Sequence, residues 1–192
     1  LQPERAYSYE LGLETHPVSS WDASLNYYLA DVKDAIALVF DSSQSVFVQE
    51  NFRKFRRQGV ELKTRYKVSS HWSLFSSGAF NDVENLTTKQ TVRDQGIARQ
   101  RYTFGVDVQG LGGWGLNVQG YYNRWSSQAS LQPNDRKPIF DAKITKTFKP
   151  ILKDIDLRAF FNIHNITNSK YWSSITYPLP RRYFEGGFAA DF

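Results

Sequence analysis

The stretch Tyr7-Ser8-Tyr9-Glu10-Leu11-Gly12-Leu13-Glu14 alternates apolar and polar side chains, with glycine at one polar position. Successive side chains of a β-strand point to opposite faces of the sheet, whereas a helix repeats every 3.6 residues. This period of two therefore predicts a strand with one apolar face and one wet face.

The same alternation recurs along the rest of the chain and predicts eight further strands. We place them at Trp21–Leu29, Val46–Lys67, Trp72–Asn81, Arg101–Gln109, Leu116–Asn123, Phe140–Phe148, Ile155–His164 and Phe184–Phe192.

The predicted connections alternate between short and long. Short turns at one rim and long loops at the other are typical of a transmembrane barrel. The short ones are His16–Ser20, Val68–Ser70, Gly110–Gly115 and Pro150–Asp154, and the long ones are Asp31–Ser45, Val83–Gly96, Ser126–Lys137 and Thr167–Pro180.

Composition favours the same fold class. Aromatic residues make up 16% of the chain, yet the mean hydropathy is −0.51, so many large rings occur in a polar sequence. Several rings fall near predicted strand ends, where membrane barrels carry interfacial girdles. The alternative is a soluble β-sandwich with ordinary strand aromatics, for which the sorted loops have no evident reason.

Other sequence features limit the remaining classes. The longest apolar run, Ala35–Phe40, is far shorter than the roughly 20 residues of a membrane helix. The absence of cysteine excludes disulfides and thiolate metal sites. The first residue is not Met and no signal-peptide pattern follows it, so we expect a piece of a longer protein.

Net charge does not indicate a nucleic-acid partner. The formal charge is +5, but basic residues are spread along the chain and no recognition helix accompanies them. One tight group, Arg53, Lys54, Arg56 and Arg57, falls in the loop-side half of the third strand. It is either a site for lipopolysaccharide phosphates or a solvated loop base.

Five segments, in order, resemble motifs of the TonB-dependent outer-membrane receptors. The similarity covers nearly the whole chain, and each motif is weak by itself. The segments are Leu1–Leu13, Tyr28–Ile36, Asn51–Leu62, Asn162–Tyr171 and Pro180–Phe192.

The resemblance implies an all-β fold: about nine C-terminal strands of a larger antiparallel transmembrane barrel of about 22 strands. We therefore expect residues 1–192 to form one barrel portion without the plug domain. The family pattern places the plug and a TonB-contact segment before the barrel. Nine strands left open would expose unpaired edges to lipid.

In such a barrel the polar face lines the lumen, where acids and bases pair and hold the plug. Plain solvation of a wet interior is the alternative. The lumen-facing candidates are Glu10, Glu14, Glu61, Asp107, Asp141 and Glu185 with Lys63, Arg65, Arg101, Lys143 and Arg158.

Two further groups carry functional expectations. Loop aromatics Trp125, Tyr171, Trp172 and Tyr177 are candidates for contacting an apolar or ring-bearing ligand. The resemblance implies that Phe192, with Phe188, is recognised by the outer-membrane assembly machinery.

The sequence contains no pattern that indicates catalysis. His16, His71 and His164 lack metal-ligand spacing, and no nucleophile or phosphate-cradling motif occurs, so we expect neither enzyme activity nor a metal or other cofactor. The favoured function is TonB-energised uptake of a ferric siderophore or cobalamin through the bacterial outer membrane. The alternative is a small self-closed outer-membrane barrel with a structural or adhesion role.

Overall fold

The computed structural model describes residues 1–41, 43–91, 98–125, 137–148, 156–171 and 178–191, and within these ranges the regular structure is all β. Nine strands are long and one, β5, is a short piece. Their bounds are β1 Arg5–Val18, β2 Trp21–Asp41, β3 Val46–Lys67, β4 Trp72–Asn85, β5 Gln90–Thr91, β6 Ala98–Leu111, β7 Trp114–Trp125, β8 Ile139–Thr147, β9 Asp156–His164 and β10 Tyr183–Asp191.

All strands join one antiparallel sheet in chain order, and β5 pairs with β4 beside that path. In the described part of the sheet, β1 and β10 are the two edges, as expected for a portion of a larger barrel rather than a small closed one. No helix in the described ranges is long and apolar enough to cross a membrane.

The register keeps like residues in line across the sheet. Leu11 pairs with Tyr27, which pairs with Val60, and Phe80 continues the row. Because side chains alternate, the same register aligns the polar residues on the opposite side. We call these sides the apolar face and the polar face.

The apolar face is not a closed core. Leu11 is 74% exposed and Phe188 is 75% exposed, at opposite edges of the sheet. Buried hydrophobic residues in the described ranges are confined to Ala35, Val83, Ala98, Val108 and Ile139. A soluble sandwich would instead bury one face of each strand against a second layer, so that alternative is wrong.

Aromatic rings bound the apolar face at both rims. On β4, β7 and β8 the rings stand eight residues apart, about 27 Å along a strand. At barrel tilts this is about 20 Å of height, close to the apolar band of outer-membrane barrels. The pairs are Trp72 with Phe80, Trp114 with Tyr122, and Phe148 with Phe140.

One long loop is a strand hairpin instead. The predicted loop Asp31–Ser45 continues β2 as far as Asp41, and Ile36 pairs with Asn51 of β3. The predicted loop Val83–Gly96 likewise loses residues to β4 and β5. Residues 126–136 and 172–177, in the other two long loops, and 149–155, in a short turn, lie outside the described part.

Three rings on the polar face each lie over a glycine of the next strand in the sheet. A Cβ built on Gly59 would stand 2.6 Å from Tyr28 Cζ, one on Gly105 2.5 Å from Phe75 Cζ, and one on Gly187 2.9 Å from Phe160 Cζ. Glycine is required here because the ring occupies the side-chain position, together with a backbone carbonyl oxygen at Gly59 (that of Phe80) and at Gly105 (that of Val118). These contacts hold large apolar surfaces flat against a face that is otherwise polar.

We expect Gly187→Ala to lower stability by about 1–3 kcal/mol, because the three atoms nearest to the new methyl group all belong to the Phe160 ring, which must move. Gly12→Ala is the matched control, since its nearest contact would be 3.6 Å away at Asn26 Oδ1. The temperature at which the folded band disappears on an unheated gel measures the effect. Equal temperatures for the two variants would contradict the ring-over-glycine account.

Candidate functional site: the polar face and its loop base

All eleven charged residues expected at the lumen lie on the polar face. The register connects them strand by strand: Glu10 is opposite Tyr28, Glu61 opposite Asn26, and Arg101 opposite Ala79. The same pairing pattern places the others on this side: Glu14, Lys63, Arg65, Asp107, Asp141, Lys143, Arg158 and Glu185.

One row of polar residues crosses five neighbouring strands. It reads Asp107, Asn117, Lys143, Asn162, Glu185 from β6 to β10. The amide of Asn117 donates to Asp107, and that of Asn162 donates to Glu185 Oε2 at 3.1 Å. The row therefore has an acid at each end and a base at its centre, with an amide between each neighbouring pair.

Arg65 reaches this row from β3 across β4. Its guanidinium lies 5.4 Å from the centre of the Phe75 ring, and Nη1 donates to Asp107 Oδ2 at 2.8 Å. Lys143 repeats the arrangement on β8, with Nζ 5.5 Å from the centre of the Phe160 ring. The rings over glycine thus also support basic side chains.

His164, to which the sequence analysis assigned no role, joins the acids. His164 Nε2 is 3.1 Å from Glu185 Oε2, Nδ1 is 3.9 Å from Asp141 Oδ2, and the ring stacks on Tyr183 at 4.3 Å. These residues are far apart in sequence, so only the strand order brings them together. The described residues contain no cluster of His, Cys, Asp and Glu arranged to hold a metal ion.

A depression of about 440 Å³ lies on the polar face toward the turn rim, the edge with the short connections. Its floor is backbone at Gly113 and Gly115, where side chains are missing. Asp107, Lys143 and Arg158 provide its charges, and Thr145 and Thr147 its hydroxyl groups. The concavity has room for a polar or charged group that approaches the polar face of the sheet.

The family model "TonB dependent receptor-like, beta-barrel" matches residues 1–166. The chain belongs to the TonB-dependent receptors. No curated protein matches the receptor sequence.

Solved structures agree on the fold. The copper transporter OprC has a TM-score of 0.74 at 17% identity, over 100% of this receptor chain and 32% of its own. The ferric citrate transporter FecA gives 0.71 at 20%, covering 98% and 31%. BauA, the ferric preacinetobactin receptor of Acinetobacter baumannii, gives 0.67 at 18%, covering 100% and 30%. The chain thus spans about a third of these proteins.

Membership of this family establishes the cellular compartment and the broad functional class of the chain. Its members are transporters and receptors of the bacterial outer membrane, and this receptor chain is located there. In that setting the exposed apolar face lies against lipid hydrocarbon, which explains a sheet with few buried residues.

The base of the receptor's β9–β10 loop is tied by a buried asparagine, Asn165, which is 4% exposed. Its Nδ2 donates to the carbonyl oxygens of Ser169 (2.8 Å) and Pro180 (3.3 Å), and its Oδ1 accepts from the Ser169 N–H (2.9 Å). Its own N–H donates to Asp141 Oδ1 at 2.7 Å. The φ of 51° suits asparagine, which tolerates left-handed backbone.

Tyr171 is part of this base. Asn123 Nδ2 donates to its hydroxyl at 2.6 Å, and the Tyr121 ring meets it edge to face at 5.7 Å. Burial raises the pKa of the Tyr171 phenol, while the Asn123 hydrogen bond opposes the rise. The side chain is half-buried at the loop base, so only its accessible part could meet a ligand.

Several predicted residues lie beyond this description. Trp172, Tyr177, Phe192 and the side chain of Trp125 are outside the described part, while Phe188 projects from the apolar face of β10. The basic group does not form one patch, because strand alternation puts Arg57 on the polar face and Arg56 on the apolar one. Arg56 also pairs with Asp31 at 2.8 and 2.9 Å.

We expect Asn165→Gly to loosen the loop base, since glycine keeps the backbone conformation and loses the side-chain bonds. Hydrogen exchange at the Ser169 amide should accelerate by roughly tenfold, for loss of about 1 kcal/mol or more. Lys170→Ala is the control, because Lys170 is exposed and its side chain contributes none of the hydrogen bonds described at the loop base. Unchanged exchange in Asn165→Gly would refute the anchoring role.

Proposed function

We propose that this chain is the C-terminal part of the barrel wall of a receptor that imports a scarce nutrient, energised through TonB. A ferric siderophore or cobalamin is the expected cargo class. The main support is the match of the chain to the family model over residues 1–166, together with the two-faced antiparallel sheet. Neighbours named for ferric citrate, ferric preacinetobactin and copper transport are consistent with metal or metal-chelate uptake.

The polar face supplies the lumen wall in this proposal. Asp107 and Arg65 are already paired with each other, so their charges are compensated within the wall. Glu10, Glu61, Arg101 and Lys143 form no ion pair with any described residue. We therefore assign plug contacts first to these four, and to the depression beside Lys143.

Capture of the cargo is assigned to the loop rim, the edge opposite the short turns. Trp125, Tyr171, Trp172 and Tyr177 remain the aromatic candidates there. TonB acts, in this mechanism, on a segment of the whole receptor that precedes the barrel. Its pull moves the plug against the wall formed by residues 1–192, and the cargo then passes.

The full-length receptor, expressed in a strain lacking its own uptake systems, should restore growth on one member of a panel of ferric siderophores, cobalamin and copper. Growth should disappear when tonB is deleted, because the plug is then not pulled. Equal growth with and without TonB would contradict energy-coupled uptake. Surface labelling of the receptor in both strains controls for its abundance.

Assembly depends, we propose, on the apolar side chains of the last strand. Phe188→Asp and Phe192→Asp should each lower the amount of folded barrel severalfold, measured by heat-modifiable migration. The Phe188 change also places a charge on the lipid side, which is unfavourable. The matched control is Ala189→Asp, which lies on the polar face opposite Arg158.

Normal levels of folded barrel in the Phe192 variant would contradict the assembly role. If Ala189→Asp lost as much folded protein as Phe188→Asp, the assignment of the two faces in β10 would fail.

A further inference from the structure

His164 is the last residue of β9, and its ring lies between two carboxylates of the neighbouring strands. Nε2 is 3.1 Å from Glu185 Oε2 on β10, and Nδ1 is 3.9 Å from Asp141 Oδ2 on β8. The first distance is that of a hydrogen bond, whereas the second is longer than a hydrogen bond. The histidine is therefore bound to β10 and stands next to β8 without being bound to it.

The two contacts cannot both be hydrogen bonds while the imidazole is neutral. A neutral imidazole has one N–H donor and one lone pair, and an ionised carboxylate only accepts. With the proton on Nε2, the lone pair of Nδ1 points toward Asp141 and repels its carboxylate. Protonation makes Nδ1 a second donor, so the gap of 3.9 Å to Asp141 Oδ2 closes to the length of an ordinary hydrogen bond.

Asp141 also holds the base of the β9–β10 loop. Its Oδ1 accepts a hydrogen bond from the Asn165 N–H at 2.7 Å. The side chain of Asn165 is bound in turn to the backbone of Ser169, through both Nδ2 and Oδ1. Because Tyr171 follows Ser169 by two residues, the position of Asp141 affects the segment that carries this candidate for cargo contact.

The surroundings of the imidazole accommodate a positive charge. The Tyr183 ring stacks on it with centroids 4.3 Å apart, and an aromatic face attracts a cation. The His164 side chain is 27% exposed, so water reaches it and exchanges its proton. The titratable and charged groups around the His164–Glu185 pair are Asp141 and Lys143 on β8, Tyr121 on β7, Tyr171 at the loop base, Tyr183 on β10, and Arg182, which is bound to the Ile166 carbonyl oxygen.

We propose that His164 is a positioning residue for cargo capture, which binds Asp141 when it is protonated and so fixes the base of the β9–β10 loop. Mildly acidic medium then holds Tyr171 in one arrangement, and the loop base loosens as the pH rises. A preorganised loop binds its ligand more tightly, because less ordering is left to the binding step. The inference rests on the proposed role of this loop in capture, whereas the histidine link itself needs neither cargo nor TonB.

The first test is hydrogen exchange of the full-length receptor in detergent, without cargo, at about pH 5.5 and about pH 7.5, between which histidine ordinarily changes charge. Exchange of residues 164–171, corrected for the intrinsic effect of pH on amide exchange, should be roughly tenfold slower at the lower pH, because a hydrogen bond between charged groups is gained. His164→Gln should remove this difference, since its amide still donates to Glu185 but does not titrate. His71→Gln is the matched control and should keep the difference, because His71 lies next to the Gln109 carbonyl oxygen rather than a carboxylate.

Asp141→Asn provides a second variant that tests the same link from the other side. Its amide oxygen still accepts from the Asn165 N–H, but the charge that attracts the imidazolium is gone, so the pH difference should again disappear. Heat-modifiable migration confirms that each variant is folded. An undiminished pH difference in either His164→Gln or Asp141→Asn would overturn the proposal, and so would its loss in His71→Gln.

The role in capture is tested with the ferric siderophore, cobalamin or copper salt that restores growth in the nutrient panel. The ratio of its affinity for the wild type to its affinity for His164→Gln should be severalfold higher at the lower pH. Taking the ratio at each pH removes the effect of pH on the compound itself. A loop base that responds to pH with an unchanged affinity ratio would overturn the positioning role, while TonB-dependent uptake would stand.

Discussion

The constraint on which this structure depends is that hydrocarbon offers no hydrogen bonds to a backbone. Every N–H and C=O group at membrane depth must find its partner within the sheet. The unbroken path from β1 to β10 meets this requirement for the inner strands. The edges β1 and β10 are completed, in a larger barrel, by neighbouring strands. Once the backbone is paired, the register decides which residues meet lipid.

With almost no buried core, the sheet is stabilised in other ways. Rings on the polar face lie against glycines, as Phe75 does on Gly105, and carry basic side chains above them. Each unit combines apolar contact between ring and glycine with a basic group above the ring. In the proposed function, this polar face is the wall that contacts the plug.

The sequence predicts the fold well because alternation is local and strong in most strands. The predicted loop Asp31–Ser45 was wrong: the segment Ala35–Phe40 is apolar throughout, and β2 continues through it to Asp41. A continuous apolar run shows no alternation, so only its length and its pairing with a neighbouring strand identify it as part of a strand. Pairing also decides the polar face: Arg65 meets Asp107 only because β3, β4 and β6 are adjacent. The buried role of Asn165 needs both Ser169 and Pro180 in place, and no local pattern announces it.

The central claim is the assignment of the apolar face to lipid, and spin labels placed one at a time on β6, at Arg101, Tyr102, Thr103, Phe104 and Val106, test it most directly. In the full-length receptor in lipid bilayers, collisions with oxygen should speed the relaxation of labels at positions 102, 104 and 106, whereas a water-soluble nickel chelate should not. Positions 101 and 103 should show less oxygen contact, because they face away from hydrocarbon. The reversed phase, or no alternation at all, would contradict the account.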